Sequence, residues 1–391
     1  MSGGGPVRLL HVAPWIRTTG GVETLLARHA QADAALGFDA RQLALFDRTS
    51  GATDDAYATQ GFSWRSTPRG MQAAMARACA ARAGSVIAWH NAWGLPWFAP
   101  ADGSSRRIAC LQDSVTHFGP LLPGLAGWVD GVTCLSAAAA RSIRAGLPEL
   151  PPERVAVMPL PIAAPPGLSA TRPARDEWVI GCAGRLVRAQ KRWDRLVPFV
   201  AELRRLGVRH RLEIISDGPL RPWLEKRLGA DPAIRFLGWQ TRDDYWKRMQ
   251  DWDAAVSFTD HEGGPIVLLE AMAAGVIPLY PAVGGSLGDE CAPLVDPRCL
   301  YPAGDAVAAA RVLAELRAAP PAELEAMRSR AQAVARTHSP EEYEQAFARL
   351  VRAVTAGPRL SRPPGGVRPG RLADWLPLGL LTRVWPAALG R

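Results

Sequence analysis

The sequence predicts an α/β protein built from two doubly wound, Rossmann-like domains that face a central cleft. Three observations predict it. Short apolar runs that suit buried parallel strands recur along the chain, most of them followed by a loop and a helical pattern. The pattern restarts once, at Trp178–Ala183, after a Pro-rich stretch at 163–173. A length of 391 residues, 48% of them hydrophobic, is enough for two domains with a core each.

The first domain is expected over 1–163, with a linker at 164–176. Val7–Ala13 reads as its first strand, leading through Gly20-Gly21 into a helix over about 22–36. Strands are expected at Arg41–Phe46, Ser85–Trp89, Arg107–Leu111, Gly131–Ser136 and Val155–Pro159, and helices at Met71–Arg82 and Ala137–Gly146. The stretch 47–60 reads as loop. Residues just past the carboxyl ends of strands face the ligand crevice of such folds. His90, Asn91, Gln112, Asp113 and His117 are therefore candidates for ligand contacts. No G-x-G-x-x-G or Walker sequence is present, so the standard dinucleotide and NTP fingerprints are absent.

The second domain is expected over 177–340. Its first strand, Trp178–Ala183, runs into Gly184-Arg185…Lys191 and a helix over 193–206. Cations on a glycine-led loop ahead of a helix suit a diphosphate, the guanidinium by fork hydrogen bonds and the ammonium as a point charge. Arg188 and Arg192 read as solvated neighbours. Strands follow at His210–Ser216 and Ile234–Leu237, the second leading to Gly238, then a helix at Arg242–Gln250. Asp251-Trp252-Asp253 has the D-x-D form of a metal motif but sits at a helix end, so no metal site is expected there. The strand Ala254–Phe258 ends at Glu262-Gly263-Gly264, with Pro265 as first helical residue. The helix to Ala274 is apolar on nearly every side yet carries Glu270, a carboxylate that is costly to bury without donors. Two glycines let the backbone approach a ligand, with amides facing an anion at the helix start. One strand–loop–helix thus offers carboxylates for hydroxyls and N–H groups for negative charge, as a phosphorylated sugar requires. Gly275 closes the helix, and Ile277–Tyr280 reads as the next strand.

The run Glu262-Gly263-Gly264-Pro265…Leu269-Glu270-Ala271-Met272-Ala273-Ala274-Gly275…Gly284-Gly285 resembles the E-x7-E signature of the family 4 glycosyltransferases, retaining nucleotide-sugar transferases with the GT-B fold. Gly184-Arg185-Leu186…Lys191 is similar to that family's diphosphate-holding element, and Gly20-Gly21 to its N-terminal loop. The resemblance implies Glu262, Arg185 and Lys191 as catalytic groups. It implies a donor site of Gly20, Gly21, Arg185, Lys191, Gly238, Glu262, Gly263, Gly264, Pro265, Ile266 and Glu270. Glu270 would take the ribose diol, Glu262 and the amides of Gly263, Gly264 and Ile266 the sugar, and the strand end at Gly238 would border the base. It implies that His90, Asn91, Gln112, Asp113 and His117 lie on the acceptor or sugar side. The family often has a histidine where Gln112 stands. Its last helix crosses back to the first domain, here expected at 341–356. No cofactor or metal is implied beyond the nucleotide-diphosphate sugar donor.

Net charge is +9, without a nucleic-acid motif beside it, so an anionic membrane surface ranks above nucleic acid as a partner. The tail 357–391 is Pro/Arg-rich, and 371–391 suits an interfacial helix broken by Pro377 and Pro386. The six cysteines lack zinc spacing and read as reduced cysteines of a cytoplasmic protein. No signal peptide and no spanning segment is read, leaving at most a peripheral place at the membrane. The expected activity is hexosyl transfer to a hydroxyl of a glycan or lipid-linked acceptor. A nucleotide-sugar epimerase of the same fold and a non-catalytic nucleotide-sugar binder are the alternatives.

Overall fold

The computed structural model describes residues 6–16, 21–47, 57–82, 84–92, 95, 105–173 and 175–361. The expectations for Gly20 and for a membrane-facing tail at 371–391 lie outside these residues.

In the first domain β1 (Val7–Ala13), β2 (Phe38–Ala44), β3 (Tyr57–Thr59), β4 (Val86–His90), β5 (Arg106–Cys110), β6 (Gly131–Cys134) and β7 (Val155–Val157) form one sheet. Its order is β3-β2-β1-β4-β5-β6-β7, and every pairing is parallel. The helices are α1 (Gly21–Ala32), α2 (Pro68–Ala80), the short α3 (Val115–Phe118) and α4 (Leu122–Leu125), and α5 (Ala137–Gly146). The strand β3 falls inside the stretch expected to be loop.

The second sheet holds β8 (Trp178–Ala183), β9 (His210–Ile215), β10 (Ile234–Phe236), β11 (Ala254–Val256), β12 (Ile277–Ala282) and β13 (Leu300–Pro302). Its order is β10-β9-β8-β11-β12-β13, again parallel. Around it lie α6 (Leu196–Arg205), α7 (Arg221–Leu228), α8 (Arg242–Asp251), α9 (Ile266–Ala273), α10 (Leu287–Val295), α11 (Ala306–Arg317) and α12 (Pro321–Arg336). A final helix, α13 (Pro340–Ala356), leaves this domain and packs on β6 and β7 of the first.

Two further details depart from the expected elements. The helix at 193–206 opens with a turn of tighter 3-10 helix, Trp193–Arg195, because Arg192 takes a left-handed conformation at φ 50°. Pro265 precedes its helix and does not open it. Its ψ of 83° is not helical, and the Ile266 amide folds back onto the Gly264 carbonyl at 3.0 Å.

The strand order places the ligand crevice. Chain connectivity reverses direction beside β1 in the first sheet, which is flanked by β2 and β4, and beside β8 in the second, flanked by β9 and β11. Ligands of open α/β sheets bind past the carboxyl ends of the strands at such points. The loops after β8 and β11 carry the Arg185–Lys191 and Glu262–Gly264 segments, so chain order alone brings them together.

The Asp251-Trp252-Asp253 segment has a structural use. Trp252 is fully buried, its indole N–H donates to Glu213 at 3.2 Å, and its ring lies on Gly181 of β8. Asp253 accepts from the Val179 amide at 2.9 Å and from Arg328 at 3.2 Å. A Cβ on Gly181 would stand 1.9 Å from the Trp252 ring. Gly181→Ala should therefore destabilise the fold by about 1–3 kcal/mol or more, the range for overpacking a core. Urea unfolding measures this, and an unchanged midpoint would show that the indole moves aside freely.

Candidate functional site

Lys191 and Glu262 meet at the centre of the second sheet's crevice. Each follows one of two adjacent strands, and the Lys191 ammonium ion-pairs with Glu262 Oε2. Both are partly buried, which strengthens the pairing relative to a surface pair. A cavity of about 200 Å³ opens beside them, lined among others by Gly21, Lys191, Glu262, Gly264, Pro265 and Ile266. Gly21 comes from α1 of the first domain, so the cavity lies between the domains.

Arg185 is exposed on the same loop, and its carbonyl accepts from the Trp193 indole at 3.1 Å. Among the described residues its guanidinium makes no ion pair. Arg192, expected to be solvated, bonds Asp194 at 3.2 Å and Asp260 at 2.6 Å, and Arg195 joins Asp260 at 2.5 Å. These pairs staple the β8 loop to the β11 loop and place Lys191 opposite Glu262. The bonds from Arg192 and Arg195 hold the Asp260 carboxyl below its ordinary range, outweighing a burial effect of opposite sign. Arg188 stands over the Trp223 ring at 5.0 Å.

Glu270 is buried on α9, and both its oxygens are occupied. Arg242 donates to Oε1 at 2.7 Å and the Tyr245 hydroxyl to Oε2 at 2.7 Å, both from α8. Burial first, then the Glu270 charge, pushes the Tyr245 phenol well up, so it remains a donor. These partners answer how an apolar helix tolerates the carboxylate. Each oxygen keeps a second lone pair for a ligand hydroxyl. Gly238 adopts φ 68° beside Arg221, past β10.

The Gly263-Gly264 loop is one place where the domains touch. A Cβ on Gly263 would stand 2.6 Å from the Gln112 carbonyl oxygen, and one on Gly264 2.9 Å from Leu135. Among the described residues no protein acceptor meets the N–H of Gly263 or Gly264. The Ile266 amide, expected to face a ligand, is instead spent on Gly264.

On the first domain the candidates divide. Asp113 and His117 form a half-exposed ion pair at 2.9 Å, and the His117 ring lies 4.1 Å from the His261 ring across the crevice. Burial, then His117, lowers the pKa of His261. Asn91, at φ 57°, turns its side chain so that Oδ1 accepts from the Gln112 backbone N–H at 3.3 Å. His90 does not face the crevice: it is buried and bonded to His11 and Gln112, because the last residue of β4 still points into the core.

Sequence reading missed Arg242 and Tyr245, which distance in the chain hides, and also His11, His29 and Asp33. The His29/Asp33 spacing of four along a helix was the available signal. It also missed Glu290 of α10. Its carboxylate accepts the amides of Ala137 at 3.0 Å and Ala138 at 2.9 Å, while Ser136 donates to Gly285 at 2.9 Å. A carboxylate of one domain thus caps a helix of the other.

Residues 177–318 match the family model described as glycosyl transferases group 1. No curated protein matches. Similar solved structures include the lipopolysaccharide outer core galactosyltransferase WaaB, at 17% identity and TM-score 0.69 over 89% of this chain and 99% of that one. HepE of Anabaena, solved with UDP and glucose, is 15% identical at TM-score 0.67 over 89% of this chain and 100% of that one. TarM of S. aureus, solved in a complex that includes UDP, is 14% identical at TM-score 0.57 over 72% of this chain. The chain spans 58% of the length of TarM. The two parallel sheets and these likenesses define a two-domain GT-B fold.

The Glu290 cap generates a test of closure. Glu290→Ala should free the start of α5, weaken the contact by about 1 kcal/mol, and raise the radius of gyration in small-angle scattering with little change in melting. An unchanged radius would assign closure to other contacts.

Proposed function

We propose that the protein is a retaining, metal-independent glycosyltransferase that moves a hexosyl group from a nucleotide-diphosphate sugar to a hydroxyl of a glycan or glycolipid acceptor. The observation that carries this reading is the Lys191–Glu262 pair beside an interdomain cavity that includes Gly21. The match of 177–318 to group 1 glycosyl transferases supports it. HepE has been solved in complex with UDP and with UDP-glucose, which supports a nucleotide-sugar donor.

In this reading the donor replaces the ion pair. Its diphosphate takes Lys191 and Arg185, and a sugar hydroxyl takes Glu262. Cations fixed in a partly dry crevice stabilise the charge that grows on the departing diphosphate, without reorganising at that moment. No divalent ion is then required. The unpartnered amides of Gly263 and Gly264 meet the donor's oxygens. Glu270, already steadied by Arg242 and Tyr245, accepts from the ribose diol with its remaining lone pairs. The bond from the anomeric carbon to the phosphate oxygen breaks, and the acceptor oxygen bonds that carbon from the same face. The acceptor proton passes to the leaving phosphate, so no side-chain base is needed. Contacts between the domains keep water out.

Arg185→Ala and Lys191→Ala should each weaken nucleoside-diphosphate binding about tenfold or more, since a charge-assisted hydrogen bond is worth roughly 1.5–3 kcal/mol. Calorimetry with UDP and GDP measures it, and unchanged affinity in both variants removes the clamp. Glu262→Gln should spare UDP binding and harm only the intact donor, whereas Glu270→Gln should weaken both, because both ligands carry the ribose. Equal losses in the two variants would show that the glutamates do not divide the donor in this way. Incubation with labelled nucleotide sugars should release free sugar slowly. An epimer, or no turnover with any donor, would favour the alternatives.

A further inference from the structure

Behind the first domain's crevice runs a buried file of polar side chains that the donor site does not use. Gln112 Nε2 meets His90 Nδ1 at 3.2 Å, His90 Nε2 meets His11 Nδ1 at 3.0 Å, and His11 Nε2 meets Asp33 Oδ2 at 2.9 Å. From the other end the Tyr343 hydroxyl meets His29 Nε2 at 2.9 Å, and His29 Nδ1 meets Asp33 Oδ1 at 3.1 Å. The three histidines and Asp33 are each at most 2% exposed. Phe347 of α13 packs on the His11 and His29 rings.

The file has a direction. An ionised carboxylate only accepts, so His11 Nε2 and His29 Nδ1 carry protons. Bonds from the two histidines hold Asp33 well below the usual carboxylate range, although burial alone would raise it. Burial lowers His29 to about 4 and His90 well below its ordinary value. If His11 carries its proton only at Nε2, facing Asp33, its Nδ1 accepts and His90 donates from Nε2. His90 Nδ1 is then an acceptor, and the Gln112 amide must turn its NH2 toward it. Its other atom, Oε1, is buried and has no partner among the described residues. Such an acceptor is costly unless a ligand satisfies it. The residue sits at the domain contact, its carbonyl against Gly263.

We propose that Asp33, His11 and His90 are positioning residues whose one-way file of hydrogen bonds fixes the Gln112 amide, so that Oε1 accepts from a hydroxyl of the sugar held between the domains. This rests on the donor-site reading above. The amide thereby selects a ligand that brings a hydrogen-bond donor to that point. The atoms of His11, His29 and Asp33 are also close enough together to hold a metal ion. Their hydrogen bonds close without one, so the metal is made an outcome of the test.

Histidine nitrogen NMR on the full chain reads the file directly. His90 should be the Nε2–H tautomer with a bare Nδ1. A Nδ1–H tautomer, a doubly protonated His11, or one equivalent of bound zinc by elemental analysis would each overturn the assignment. UDP with UDP-glucose and GDP with GDP-mannose then test the ligand half by calorimetry. In Gln112→Leu and in His90→Phe, intact donor should bind about tenfold more weakly, the cost of stranding a polar partner. Nucleoside-diphosphate affinity should be unchanged, which a general loss of structure would not spare. A folded His90→Phe protein that binds donor like the wild type overturns the positioning role, and a Gln112→Leu protein that does so overturns the Oε1 contact. Wild-type protein that binds neither pair sinks the donor-site reading and the Oε1 contact with it, while the His90 tautomer still decides the file.

Discussion

The ion pair between Lys191 and Glu262 is the constraint on which the site depends. It spans the two strands, β8 and β11, at which the second sheet changes direction. Everything near it serves to hold those two loops in register. Asp260 ties Arg192 and Arg195 across the gap, and Gln190 gives its carbonyl to the Asp260 amide at 3.0 Å. In the proposed reading, an ammonium and a carboxylate held this way are preorganised for a ligand that is anionic at one end and hydroxylated at the other. Such a ligand supplies each group with a new partner, so neither is left unpaired when the bridge opens.

Closure is the second requirement, and it is built from contacts that tolerate no extra atoms. Gly263 and Gly264 let the second domain's loop meet the first domain at van der Waals distance, and Gly285 faces Val115 in the same way. Glu290 adds a charged cap to α5. On the far side α13 returns to the first domain, with Arg28 paired to Glu344 at 2.6 Å and Asp130 gathering the amides of Leu360 and Ser361. The same helix brings Tyr343 to the buried histidines, so the element that joins the domains also reaches the file that ends at Gln112.

Much of this was legible in the sequence because parallel strands are long apolar runs followed by breaks. The bounds of Val7–Ala13, Trp178–Ala183 and Ala137–Gly146 follow from the pattern directly. The edge strands β3 and β13 were not read from the sequence, although β7, β10 and β11, equally short, were. Within the site, six residues read from local motifs, Gly21, Lys191, Glu262, Gly264, Pro265 and Ile266, line one cavity. The partners of Glu270 are separated from it by 28 and 25 residues, and nothing local marks them. His90 illustrates a different limit. A strand's last residue alternates in or out according to register, and a one-residue difference sends an expected crevice group into the core.

A crystal structure with an intact nucleotide sugar bound tests the central claim most directly. The account predicts a broken Lys191–Glu262 bridge, with Lys191 on the diphosphate, Glu262 on a sugar hydroxyl and the ribose diol on Glu270. A donor bound elsewhere with the bridge intact would contradict it.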